Sequence, residues 1–110
     1  MQPEIRKYLF DIYQASKSLL DFIRDKNLQD YIDDLLLRSG VERQLMIIGE
    51  ALNQAYKIDP GISESISNIR EIINLRNVIV HGYAIIENET IWGIIKEDLP
   101  KLYKQVQILL

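Results

Sequence analysis

The chain has 110 residues, of which 47% are hydrophobic and 26% charged, with no cysteine and a formal net charge of −3. One domain covering residues 1–110 fits that length, and the composition is that of an ordinary globular protein, which sets aside disordered and fibrous classes. Missing cysteines exclude disulfides, thiolate zinc sites and cysteine nucleophiles and suit a reducing, cytoplasmic setting, while the negative balance excludes a molecule-wide basic field, so any nucleic-acid site must be local.

The N-terminal stretch MQPEIRKYLFDIY is too charged for a signal peptide. Pro3 suits the first turn of a helix, and Ile5, Leu9, Ile12, Leu19 and Phe22/Ile23 follow at three- and four-residue steps. The spacing predicts a first helix over about residues 3–25. Leu28, Ile32 and Leu35 lead into Val41, Leu45, Ile48, Leu52 and Ala55, which predicts one long helix over about 28–56, stopped before the DPG turn at 59–61. Within it, Gly49 costs about 1 kcal/mol relative to alanine, so a close approach of another helix is its expected reason. Met46, Gly49 and Asn53 share a flank away from the main stripe and suggest a second contact surface, such as a dimer interface.

A third helix is predicted over about 62–81, with Ile62, Ile66, Ile69, Ile73 and Val80 on one stripe and Gly82 ending it in a left-handed cap. After the loop AIIEN, Asn88 is placed to cap a fourth helix carrying Ile91/Trp92, Ile95, Leu99, Leu102, Val106 and Leu109, which Pro100 should kink or split. No segment alternates with period two, and the longest apolar runs, such as LMII and VIV, fall far short of the roughly 20 residues of a membrane helix. The expected fold is all-α, an up-and-down four-helix bundle.

Chemistry concentrates in RNVIVHGY, residues 76–83, which holds the only histidine. At about 100° per residue, Ile69, Ile73 and Val80 project to one side of Arg76 and Ile72 and Ile79 to the other, so the arginine points into the apolar arc. A guanidinium keeps its charge there. It needs an acidic partner, Glu42 or Glu50 of the long helix, or a cleft that receives an anion. His81 lies five residues on, roughly 140° around and about 7.5 Å along, so a continuous helix does not make the two neighbours. They converge only if the helix ends near Gly82 or a second copy completes the site; Asn77 is the residue on the flank of His81. Imidazole can give and take a proton near neutrality, but a lone histidine can also serve as a packing or capping residue, and Tyr83 can close the turn as a core aromatic or project its hydroxyl beside His81. There is no metal-ligand spacing and no glycine-rich phosphate loop, and YIDDLL reads as a solvated or N-terminal helical turn.

Arg76, Asn77, His81 and Tyr83 together match the R-N-x-x-x-H-x-Y signature of the HepT-like ribonuclease toxins, a branch of the HEPN superfamily of helical domains. The blocks RKYLFDIYQA, RQLMIIGEAL, the DP turn, LRNVIVHGY and IWGIIKEDLPKL resemble that family's in order along nearly the whole chain. The resemblance implies a homodimeric, metal-independent endoribonuclease without a cofactor. In it Arg76 and His81 are catalytic, Asn77 supports them, and two motif helices face one another across a cleft. It also implies the toxin role in a type VII toxin–antitoxin pair, with Tyr83 nucleotidylated by an MntA-type minimal nucleotidyltransferase. The alternative is a non-catalytic helical dimer that binds a nucleotide or a nucleotidyltransferase, with Arg76 and His81 as anion ligands; a third is a purely structural bundle with Arg76 salt-bridged inside.

Overall fold

The first helix, α1 (Pro3–Phe22), begins on the proline, whose missing N–H is not needed in the first turn. The computed structural model that shows it describes residues 2–81 and 87–110 of the chain. One face of α1 buries Ile5, Leu9, Ile12, Ala15 and Leu19. It stops a little before the expected boundary, and Asp25 turns the chain with φ of 59°.

The single long helix expected over 28–56 is two. In α2 (Leu28–Asp33) the side chain of Asn27 accepts the backbone N–H of Asp30, whose carboxylate accepts the N–H of Asn27 in return. Asp34 then takes an extended conformation, with φ −115° and ψ 99°, and its carboxylate accepts the N–H of Leu37 at 3.1 Å to start α3 (Leu35–Ile58). Arg38 closes the break from the other side by donating to the carbonyls of Tyr31 and Ile32. The interruption rotates the apolar face, so Tyr31 and Leu37 are buried while Leu35 lies exposed. Beyond it, Val41, Leu45, Ile48, Leu52 and Ala55 are all buried, as their spacing requires.

The third expected helix is also divided. Residues Pro60–Glu64 form a 3-10 turn capped by Asp59, and Asn68, with φ of 60°, separates it from α4 (Ile69–His81). Asparagine tolerates this left-handed conformation better than most residues, which makes it a natural breaker here. The buried face of α4 is Ile69, Ile72 and Leu75; Ile73 is half-buried and Val80 is exposed, so the stripe drawn through those two is not the core face. The expected cap at Gly82 lies outside the described residues.

The last helix, α5 (Asn88–Leu109), starts on Asn88 itself, with Glu87 in the capping position and no side-chain cap bond. It runs through Pro100 without dividing. Ile91, Ile95, Leu99, Leu102 and Val106 form its buried face. Helix α1 packs on α3 and α5, α2 bridges α3 and α5, and α4 packs on α3. Tyr13 of α1 and Tyr103 of α5 stack with ring centroids 5.1 Å apart, and Tyr31 of α2 lies 5.5 Å from Trp92 of α5. The beginning of α4 is tied to α5 by side chains: Gln105 accepts the Ser67 N–H at 3.1 Å, and Asn68 donates to Asp98 at 3.1 Å. The all-α class holds, with five α-helices and no strand among the described residues. No helix among them is long and apolar enough to cross a membrane.

Candidate active site

The geometry of the site is set by a crossing of α3 and α4. Gly49 is buried in α3, and a Cβ placed on it would stand 2.7 Å from Arg76 Cγ and closer still to Arg76 Cβ. The expected close helix approach is therefore made within one chain, by the stem of Arg76. Because the stem of Arg76 lies on bare backbone, the guanidinium reaches across α3 to Glu50, the next residue along.

Arg76 NH2 donates to Glu50 Oε2 at 2.5 Å, and NH1 donates to Asn77 Oδ1 at 2.7 Å. The other carboxylate oxygen of Glu50 accepts from Gln54 Nε2 at 2.9 Å, one turn further along α3. Of the two acidic partners the sequence offered, Glu50 is thus the one used. Glu42 instead lies near the buried Tyr31 phenol. Burial pushes that phenol up to about 12, and Glu42 adds to the shift while the Arg38 charge opposes it. The Arg76–Glu50 pair is not sealed: the side chains are 23% and 45% exposed. Arg76 Nε, by contrast, is buried with no hydrogen-bond partner.

Arg76 opens into a cleft of about 390 Å³ between α1, α3 and α4, whose lining includes Lys7, Tyr8, Asp11, Arg43, Glu50 and Val80. Three cations stand there against two carboxylates; Lys7 pairs with Asp11 at 3.1 Å and Arg76 with Glu50, so the excess is the single charge of Arg43. A local excess of positive charge therefore exists in a chain of net charge −3. A second cavity of similar size, bordered by Asn53, Tyr56, Ser67 and Arg70, includes neither Arg76 nor His81.

His81 is the last described residue of α4 and is exposed. The helix is continuous from Arg76 to His81, so their separation of roughly 140° around the axis stands, and His81 does not line the Arg76 cleft. Within one chain the structure gathers Arg76, Asn77 and Glu50 and leaves His81 at the end of the same helix. Tyr83 lies outside the described residues. Gln54 was missed by the sequence reading; its signal was available, since it stands four residues after Glu50, the spacing at which helical side chains meet.

A family model described as Ribonuclease HepT-like matches residues 12–109. A Methanocaldococcus jannaschii protein described as a candidate RNase is 32% identical over 108 residues, covering 96% of each chain. A Caldanaerobacter subterraneus protein of the same description is 31% identical, covering 96% of this chain and 93% of its own. A Thermococcus cleftensis protein described as a candidate ribonuclease HepT is 30% identical, covering 93% and 92%. No solved structure matches the chain significantly. With a helical fold, an arginine opening on a cationic cleft and a family match over nearly its whole length, the chain belongs to the HepT-like ribonuclease family.

Proposed function

We propose that this protein is a metal-independent endoribonuclease that cuts RNA by attack of the RNA's own 2′-hydroxyl, with Arg76 and His81 as its catalytic residues. The observation that carries the reading is the partly open Arg76 at the wall of a locally cationic cleft, on the helix that ends in the exposed His81. In the reaction, the 2′-oxygen forms a bond to the adjacent phosphorus and the bond to the 5′-oxygen breaks. Imidazole takes the proton of the 2′-hydroxyl, and a proton is returned to the leaving 5′-oxygen. The products are a 2′,3′-cyclic phosphate and a 5′-hydroxyl. Arg76 holds the phosphate as negative charge builds in the transition state. Asn77 Oδ1 accepts from Arg76, so its part is to steady the guanidinium, leaving its amide nitrogen to face a phosphate oxygen.

The four longer helices are read as an up-and-down bundle that works as a homodimer. One continuous helix does not place Arg76 and His81 on one face, whereas two-fold symmetry can set one copy's histidine against the other's arginine. In the same reading the enzyme is the toxin of a type VII toxin–antitoxin pair. An MntA-type nucleotidyltransferase would silence it by joining the Tyr83 phenolic oxygen to the α-phosphorus of ATP with release of pyrophosphate. The added phosphate would then compete with RNA for Arg76.

Incubation of the purified protein with RNA in EDTA tests the central claim. Wild type should leave 2′,3′-cyclic phosphate ends, and His81→Ala should lose about 10²–10⁴ in rate. If His81→Ala cuts at the parental rate, the catalytic assignment is wrong. A folded wild type that binds RNA or a nucleotide without cutting supports the binding-module reading instead. For the regulatory step, co-expression with the nucleotidyltransferase should add AMP mass to wild type and none to Tyr83→Phe.

A further inference from the structure

We infer that Glu50, together with the bare Gly49 beside it, is a positioning residue for Arg76, fixing its guanidinium as a preset two-donor fork for a phosphodiester. This deepens the ribonuclease reading and rests on it. An arginine on a helix surface ordinarily samples many rotamers, and four constraints remove that freedom here. Gly49 sets how deeply the Cβ–Cγ stem of Arg76 settles on α3. Glu50 Oε2 holds NH2 at 2.5 Å, and Asn77 Oδ1 holds NH1 at 2.7 Å. The carboxylate is itself held, because its second oxygen accepts from Gln54 at 2.9 Å. The chain Gln54, Glu50, Arg76, Asn77 is therefore linked by a hydrogen bond at every step.

A guanidinium carries five N–H donors. Glu50 and Asn77 take one each, and the Nε donor is buried away from solvent with no acceptor. One hydrogen remains on each terminal nitrogen, and Arg76 lines the cleft, so those two are what an arriving anion can meet. Two donors in a fixed plane match two phosphate oxygens, and a group already oriented needs no rearrangement when charge develops.

The arrangement has a signature that a merely structural ion pair lacks. The Glu50 carboxylate is 45% exposed and stands beside the place an RNA phosphate would occupy, so its charge opposes RNA binding in the ground state while its geometry serves the transition state. Glu50→Gln keeps size and one acceptor oxygen and removes the charge. It should bind RNA more tightly and cut it more slowly, with kcat down by about 10- to 100-fold and KM down as well.

The experiment measures steady-state cleavage of a short RNA by wild type and Glu50→Gln, and RNA affinity in a His81→Ala background with and without the Glu50 change. Circular dichroism confirms that each variant is folded, which the exposure and isosteric size of the substitution lead one to expect. Opposite movement of affinity and kcat supports the positioning role. A folded Glu50→Gln that cuts at the wild-type rate overturns it and leaves the ribonuclease reading standing, and so does one that cuts faster, since Glu50 would then be a brake. A wild type that cuts no RNA removes both.

Discussion

Gly49 and Arg76 share one point of contact, where the arginine's Cβ and Cγ rest on a helix backbone that has no side chain to keep them off. An added methyl would meet the rigid root of the arginine and not its movable tip, so α3 and α4 must separate to admit it. Gly49→Ala should destabilise the protein by about 1–2 kcal/mol, the cost of overpacking less the helix propensity gained. Gly93, in the second turn of α5, has nothing within 4 Å of the position a Cβ would take. Gly93→Ala should raise stability by about 0.5–1 kcal/mol. Thermal unfolding of the two variants side by side checks the pair, and equal shifts would show that the crossing is not tight.

Arg76→Ala should leave the protein folded. The several kcal/mol lost on breaking a buried ion pair applies when the surviving charge stays buried, and here Glu50 is 45% exposed and keeps Gln54 as a partner. The change also removes the unpartnered buried Nε. A loss of about 1–2 kcal/mol by urea denaturation is expected, mostly from the stem packed on Gly49. A loss beyond about 4 kcal/mol would mean that the pair behaves as a sealed one.

Tyr31 is fully buried, its hydroxyl has no hydrogen-bond partner, and its titration is pushed from 10 up to about 12, chiefly by burial. A raised folded-state value means that the unfolded chain releases the proton first as pH rises. The contribution is therefore whole below about pH 10 and is lost between about 10 and 12, by up to about 2–3 kcal/mol. The Tyr103 phenol, raised by its hydrogen bond with Tyr13, acts in the same direction, so the informative quantity is the difference between wild type and Tyr31→Phe. Denaturant midpoints from pH 8 to 11.5 should fall less steeply in Tyr31→Phe. At pH 7 that variant should be as stable as wild type or more so, since an unpaired hydroxyl has left the core.

The buried stripe of α3 was legible because Val41, Leu45, Ile48, Leu52 and Ala55 repeat every three or four residues and all face inward. The break at Asp34 was not, because Leu28, Ile32 and Leu35 continue the same spacing across it; only the N-terminal bonding of Asp34 and Arg38 shows that the rotation is reset. Asn68 hid the start of α4 in the same way, with Ile62, Ile66 and Ile69 in step on both sides of a left-handed residue. At the site, residue types and their order along α4 were readable. The choice of Glu50 over Glu42 was not, since it depends on how α3 is rotated about its axis against α4, a tertiary quantity that no local spacing contains. Gly49 carried the missing information in a form that named a close approach without naming what approached.

The beginning of α4 is fastened to α5 through Ser67 and Asn68, while its body rests on α3. Further along, Arg76 is bonded to Glu50 of α3, so α4 is held to one neighbour at its beginning and to another in its second half. Amide hydrogen exchange along α4 is therefore expected to be about as slow as along α3, and markedly faster exchange along α4 would show that these ties do not hold it. A partner that loosened either tie would shift Arg76 away from the Glu50 carboxylate without touching the arginine itself.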